Sequence, residues 1–175
     1  MGNSNSPAAN LNNDSIPYSQ NYSLFPTPYP LLPNMESNPD KTPDLQAWQE
    51  FFDKDRFAVE NGCRIVDAHA GYSKIEMEIT PHHYNATGIV QGGALFTLAD
   101  FAFAVASNAA GDRVVGTSTY MNFFKATRTG VLTAIGKEIS RSRKLSTVEV
   151  QIFDDENNLV AQFQGNGYIL TPPKG

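Results

Sequence analysis

Cysteine is almost absent from this chain of 175 residues, with Cys63 standing alone. A single thiol closes no internal disulfide, and nothing around Cys63 would stabilise a thiolate, so it reads as a small packing residue. A surplus of positive charge is missing too. Thirteen Lys and Arg face eighteen Asp and Glu, a formal net charge of −5, which leaves no electrostatic footprint for nucleic acid. The start has no charged-then-apolar pattern of a secretory leader, so the cytoplasm is the expected compartment. Long uninterrupted apolar runs are lacking as well. The best candidate, from Ala94 to Ala106, is short, Ala-rich and broken by Asp100, so no membrane partner is expected. Histidine is scarce, and the adjacent His82 and His83 have no Cys, Asp or Glu at ligand spacing nearby. They read as loop residues, and neither a metal nor a cofactor is expected.

What is present divides at about residue 42. Residues 1–42 hold eight Asn and seven Pro but only four charged residues. Such a segment buries too little apolar surface to offset its ordering entropy and is expected to be a disordered tail. Residues 43–175 then read as one domain. Asp44 can start a short helix in which Leu45, Trp48, Phe51 and Phe52 recur at helical spacing. Two strands follow, from Cys63 to Ala70 and from Tyr72 to Thr80. In the second, Ile75, Met77 and Ile79 alternate with Lys74, Glu76 and Glu78, the pattern of a sheet with one wet face. Beyond Asn108, four more strands are expected at Val114–Phe124, Gly130–Ser140, Leu145–Asp154 and Leu159–Leu170.

Between the two sets of strands runs a helix apolar on every side, which is the mark of a buried helix. It opens on Gly92 and Gly93, whose unpaired N–H groups sit at the positive end of the helix with no side chain in the way. About two turns along comes Asp100. A carboxylate in such a setting usually gains partners, a shifted pKa or a function. One buried helix among strands long enough to curl implies an α+β fold, an antiparallel sheet wrapped around that helix.

These residues carry a resemblance. Asn85, Gly88, Gly92-Gly93, Leu98-Ala99-Asp100 and Ser107-Asn108 are similar to the motif N-x-x-G-x-x-H-G-G-x-x-x-x-L-A-D of hotdog-fold acyl-CoA thioesterases, nearest to the phenylacetate-pathway (PaaI-like) group. The resemblance spans roughly residues 44–170 and departs at one position, where Gln91 replaces the usual His. It implies the hotdog fold and hydrolysis of an aryl-acyl or medium-chain acyl-CoA to the free acid and CoA. The Gly92 N–H would receive the thioester carbonyl, and Asn85 would help polarise it or orient the loop. Asp100 would be general base or nucleophile, and Ser118 would hold the carboxylate or the water. Gln91 could still donate a hydrogen bond, although it cannot act as an acid; a thiolate leaving group with a pKa of roughly 8.5 needs none. The resemblance further implies a homodimer or homotetramer whose sites are shared between subunits.

Two groups would bind substrate: Gly93 at the helix start, and a basic cluster that suits the phosphates of CoA. Arg141, Arg143 and Lys144 lead that cluster, which also includes Lys125, Arg128 and Lys137 in a stretch with one acid, Glu138. A charged sheet edge would look the same. The alternative to an enzyme is a non-catalytic acyl-CoA-binding hotdog module. Asp100 separates the two readings, since a binder has no evident need of it.

Overall fold

The structure, a computed structural model, describes residues 45–170; the expected tail lies outside them. The elements in chain order are α1 (Leu45–Phe52), α2 (Arg56–Glu60), β1 (Arg64–His69), β2 (Tyr72–Glu78), a 3₁₀ turn (Pro81–His83), α3 (Gly92–Asn108), β3 (Arg113–Phe123), β4 (Val131–Arg141), β5 (Leu145–Phe153) and β6 (Leu159–Leu170). All six strands form one antiparallel sheet in the order β1-β2-β4-β5-β6-β3, with α3 packed against it. This is the expected α+β architecture.

Alternation does most of the folding. In β2, Ser73, Ile75 and Met77 are buried, and in β5 the same holds for Ser146, Val148, Val150 and Ile152. Every second residue therefore faces α3, which presents Leu95, Leu98, Ala99, Phe101, Ala102, Val105 and Ala106 to the core. Ser73 ties helix to sheet by donating its hydroxyl to the Ala102 carbonyl at 2.8 Å. The aromatic stripe of α1 closes one side. Trp48 is fully buried and stacks on Phe52 at 5.7 Å, and Phe52 meets Phe101 of α3 edge to face at 5.6 Å. Each such buried aromatic stabilises the fold by roughly 1.5–3 kcal/mol through area alone.

Three glycines let β3 and β6 approach the helix. A Cβ on Gly165 would lie 2.6 Å from Phe103 Cδ2, one on Gly167 would lie 3.2 Å from Phe103 Cζ, and one on Gly116 would lie 3.5 Å from Phe103 Cε1. Together they form a trough that the Phe103 ring fills.

Helix α3 differs from expectation in one respect. It is not covered on all sides: Gly93, Phe96 and Asp100 are exposed along one stripe. The reason is topological. Among the described residues strand β3 stands at the sheet edge, hydrogen-bonded to β6 alone, and residues 116–120 are exposed, so the described sheet ends beside this stripe instead of closing over it.

Candidate active site

The start of α3 is built by a side chain. Gln91, at φ −70° and ψ 138°, is the N-cap, and its Oε1 accepts hydrogen bonds from the N–H groups of Gly93 and of Ala94, the latter at 3.2 Å. The oxygen is thus consumed by the cap, which leaves the amide N–H₂ as the outward group. The Gly92 N–H has no acceptor among the described residues. Of the two glycines it is Gly92 that offers a donor, since the Gly93 N–H is taken by the cap. The Phe123 ring lies beside Gly92, with Cζ 3.3 Å from where a Cβ would be.

Asn85 is used in a similar way. Its Oδ1 accepts from the Thr87 N–H at 2.9 Å, the Thr87 hydroxyl at 2.7 Å and the Ile89 N–H at 3.4 Å. These bonds close the loop before α3, where Gly88 takes a φ of +72° that suits glycine. His83 pins the same loop. Its carbonyl accepts from the Gln91 N–H at 2.8 Å, and its ring bridges the Thr80 N–H at 3.0 Å and the Asn61 carbonyl at 3.1 Å.

Asp100 and Ser118 line one open groove of about 430 Å³, together with Phe103, Ala104, Val114, Gly116, Thr117 and Thr119. Although part of Asp100 is open to solvent in the single chain, enough protein surrounds the carboxyl for desolvation to raise its pKa. The Asp55 carboxylate, which caps α2 through the Ala58 N–H at 3.2 Å, adds to that rise. A carboxyl with a raised pKa is a better proton acceptor when ionised, which suits general-base chemistry. The acid limb of any Asp100-dependent rate should accordingly fall above the ordinary Asp value of about 3.9. Asp55→Asn keeps the cap but removes a charge, so it should move that limb to lower pH. A limb that stays in place in a kcat/KM profile would show that Asp55 does not reach Asp100.

The basic cluster lies elsewhere. The Arg141 guanidinium is committed to Asp112 at 2.5 Å and Glu138 at 2.6 Å, and it reaches the Ser107 carbonyl near the end of α3 at 3.4 Å. Ser107 is about 22 Å along the helix from Gly92. Arg141 therefore ties α3 to the sheet within the chain through Asp112, Glu138 and the Ser107 carbonyl. Lys144 lies over the Tyr168 ring at 5.3 Å, and Lys125 pairs with Asp154 at 2.6 Å. Arg143, in the exposed β4–β5 turn, has no ion-pair partner among the described residues.

Cys63 is buried, and desolvation, with Asp55 adding to it, pushes its thiol up to about 12. At neutral pH it carries no thiolate, so it is inert packing. Among the described residues no three His, Cys, Asp or Glu side chains gather in a way that could hold a metal ion, and no helix is long and apolar enough to cross a membrane. Asp55 and Phe123 join the site's surroundings without having been legible in the sequence. Only tertiary contact brings them there.

Comparison with known proteins identifies relatives of the chain and of its fold. A model of the thioesterase superfamily matches residues 87–161, from the loop before α3 into β6. The acyl-coenzyme A thioesterase PaaI of Escherichia coli K12 is 28% identical over 71% of this chain and 92% of its own length. A structure of the E. coli PaaI protein from the phenylacetic acid degradation operon superposes with a TM-score of 0.69 at 26% identity, covering 72% of this chain and 92% of that one. The phenylacetic acid degradation protein PaaI of Thermus thermophilus, solved as a variant, is 31% identical at a TM-score of 0.63, over 66% of this chain and 99% of its own. By fold, by motif and by these relatives, the chain belongs to the PaaI-like hotdog-fold thioesterases.

Proposed function

We propose that this protein is an acyl-CoA thioesterase that cleaves the thioester with Asp100 as the proton-accepting or nucleophilic carboxylate and the Gly92 N–H as the oxyanion donor. The observation that carries the reading is an unpaired N–H at Gly92, the mouth of a 17-residue helix, together with a carboxyl of raised pKa about two turns along that helix. A donor aimed at a developing oxyanion lowers the barrier more than it tightens binding. A pure acyl-CoA binder would gain nothing from the carboxylate. Gln91 and Asn85, each with its oxygen held by the backbone, contribute amide N–H groups near the same helix start. Ser118 completes the site as a hydroxyl in the Asp100 groove.

Geometry also bears on assembly. Gly92 and Asp100 of one chain are eight residues apart, about 12 Å along the axis. One thioester carbonyl cannot take a hydrogen bond from the first while its carbon is attacked at the second. Two chains related by a two-fold axis, joined along the β3 edge, would place the Gly92 of each beside the Asp100 of the other. The exposed stripe of α3 and the half-paired β3 support this shared-site dimer.

The test is turnover of a panel of acyl-CoAs, aryl-acyl and medium-chain members included, followed with a thiol-reactive dye. Release of free CoA from at least one member at a rate that saturates is expected. Tight binding of the whole panel without release would move the reading to the binding module. Arg143 remains the surface cation proposed for a CoA phosphate.

A further inference from the structure

Resting on the role given to Asp100 above, we propose that Asn108 is a positioning residue that sets the spacing between the two walls of the Asp100 groove. Asn108 is the last residue of α3, and Ala104 and Asp100 stand about one and two turns before it on the same side of the helix. It is buried, and both ends of its amide are in use. Nδ2 donates to the Ala104 carbonyl at 2.8 Å and to Ser107 Oγ at 3.3 Å, while Oδ1 accepts from the Val114 N–H at 2.9 Å. A backbone N–H only donates and a backbone carbonyl only accepts, so Val114 and Ala104 fix which way round the amide lies.

The two backbone groups it joins belong to opposite walls of the groove. Ala104 of α3 and Val114 of β3 both line it, together with Asp100 and Phe103. The Val114 side chain lies on the sheet face toward α3, since a Cβ on Gly167 would run into its Cγ1 and would also lie 3.2 Å from Phe103 Cζ. Among the described strands β3 has β6 on one side alone, and on its other side the Val114 N–H is taken by Asn108. Residues 109–112 separate α3 from β3, and the amide crosses that span directly. Helix and edge strand are thus tied at the level of the groove. Of the residues lining the groove Asp100 is the ionisable one, and Asp55 of α2 acts on it from outside. How far the Val114 wall stands from α3 therefore affects how much water reaches the carboxyl. Among side chains of this size, only an amide accepts from the strand with one end and donates to its own helix with the other.

The experiment compares the full chain with Asn108→Leu, Asn108→Asp and Asp100→Asn, each assayed well below its own thermal midpoint, and reads kcat, KM, the acid limb of kcat/KM and the midpoint. Asn108→Leu keeps the size and abandons Val114. It should lower kcat about tenfold, because small displacements of reacting groups are costly, and it should move the acid limb to lower pH as water reaches Asp100. Asn108→Asp keeps the acceptor for Val114 and loses the donor to Ala104, so kcat should stay within about threefold of the parent and the limb should not move down. Both should melt below the parent, since Leu leaves the Val114 N–H without its acceptor and Asp sets a negative charge at the helix C-terminus. Lost stability alone would then not separate their rates. Asn108→Ala, which also abandons Val114 but adds no apolar bulk, takes the place of the Leu variant if that one does not fold. If both variants melt lower yet turn over like the parent, or if Asn108→Asp is as slow as Asn108→Leu, the positioning role is overturned and the Asp100 reading stands. If Asp100→Asn itself is fully active, the Asp100 reading falls and this inference falls with it.

Discussion

Replacing Asp100 by Asn should lower turnover by about 10²–10⁴-fold, the range of a lost general base, while the variant melts above the parent at neutral pH. The two effects share one cause. Desolvation, with Asp55 behind it, makes the folded protein prefer the protonated form of Asp100 more than the unfolded chain does. A carboxyl whose pKa is raised on folding therefore opposes folding wherever it is ionised. That opposition is absent below the ordinary carboxylate range, where both states hold the proton. It grows as pH rises through the unfolded pKa and is complete above the folded one. Asn carries no charge at any pH, so the gain in thermal midpoint should appear at neutral pH and vanish in acid. Unchanged melting at every pH would mean that the groove is as wet as bulk solvent. Parental turnover would remove the carboxylate from the chemistry.

Gly92→Pro should be nearly as damaging, at about 10²–10³-fold in kcat, with the fold intact. Position Gly92 is the first residue of α3, where proline is the favoured helix starter because the N–H it lacks has no intrahelical partner. Proline also restricts the residue before it to extended backbone, and Gln91 is already there at φ −70° and ψ 138°. The substitution therefore deletes one donor and little else. Gly92→Ala is the control: it keeps the N–H and adds a Cβ 3.3 Å from the exposed Phe123 ring, which can turn aside. If Gly92→Pro folds and retains full activity, the oxyanion donor is elsewhere.

The two inactive variants together locate the sites. Unfolded, mixed equally and refolded, they should regain about a quarter of parental activity if each site takes Gly92 from one chain and Asp100 from the other. Random pairing makes half the dimers mixed, and one site of each mixed dimer is undamaged. Recovery no greater than the separate variants, in a sample whose labelled chains have exchanged, would place each site within one chain.

The sequence carried the elements well because they rest on local periodicity. Leu159–Leu170 has the bounds expected of it, and the other strands shift only by a residue or two at their ends, where turns decide. The helix start at Gly92 was legible for the same reason: paired glycines before an apolar run. What the sequence could not show depends on partners distant in the chain. Nothing near Arg141 announces that Asp112 will hold it, and nothing near Asp100 says that the sheet ends with β3 and leaves one stripe uncovered. Gln91 looked like a weakened donor. Only its backbone angles reveal it as the cap whose oxygen orders the first turn of α3.

The trough under Phe103 has a consequence for how this enzyme can diverge. Phe103 both fills the space above Gly165 and Gly167 and forms a wall of the Asp100 groove. A methyl group added at Gly165 meets the ring at 2.6 Å and has nowhere to go. Shrinking Phe103 opens the groove and removes that contact, but a methyl at Gly165 would still lie 2.9 Å from Cε1 of the buried Phe163 ring, so both rings hold the position to glycine. The order of substitution is thus constrained. A lineage can change the width of its groove at Phe103, but Gly165 stays glycine until Phe163 yields as well, so three positions on α3 and β6 drift as a single inherited unit.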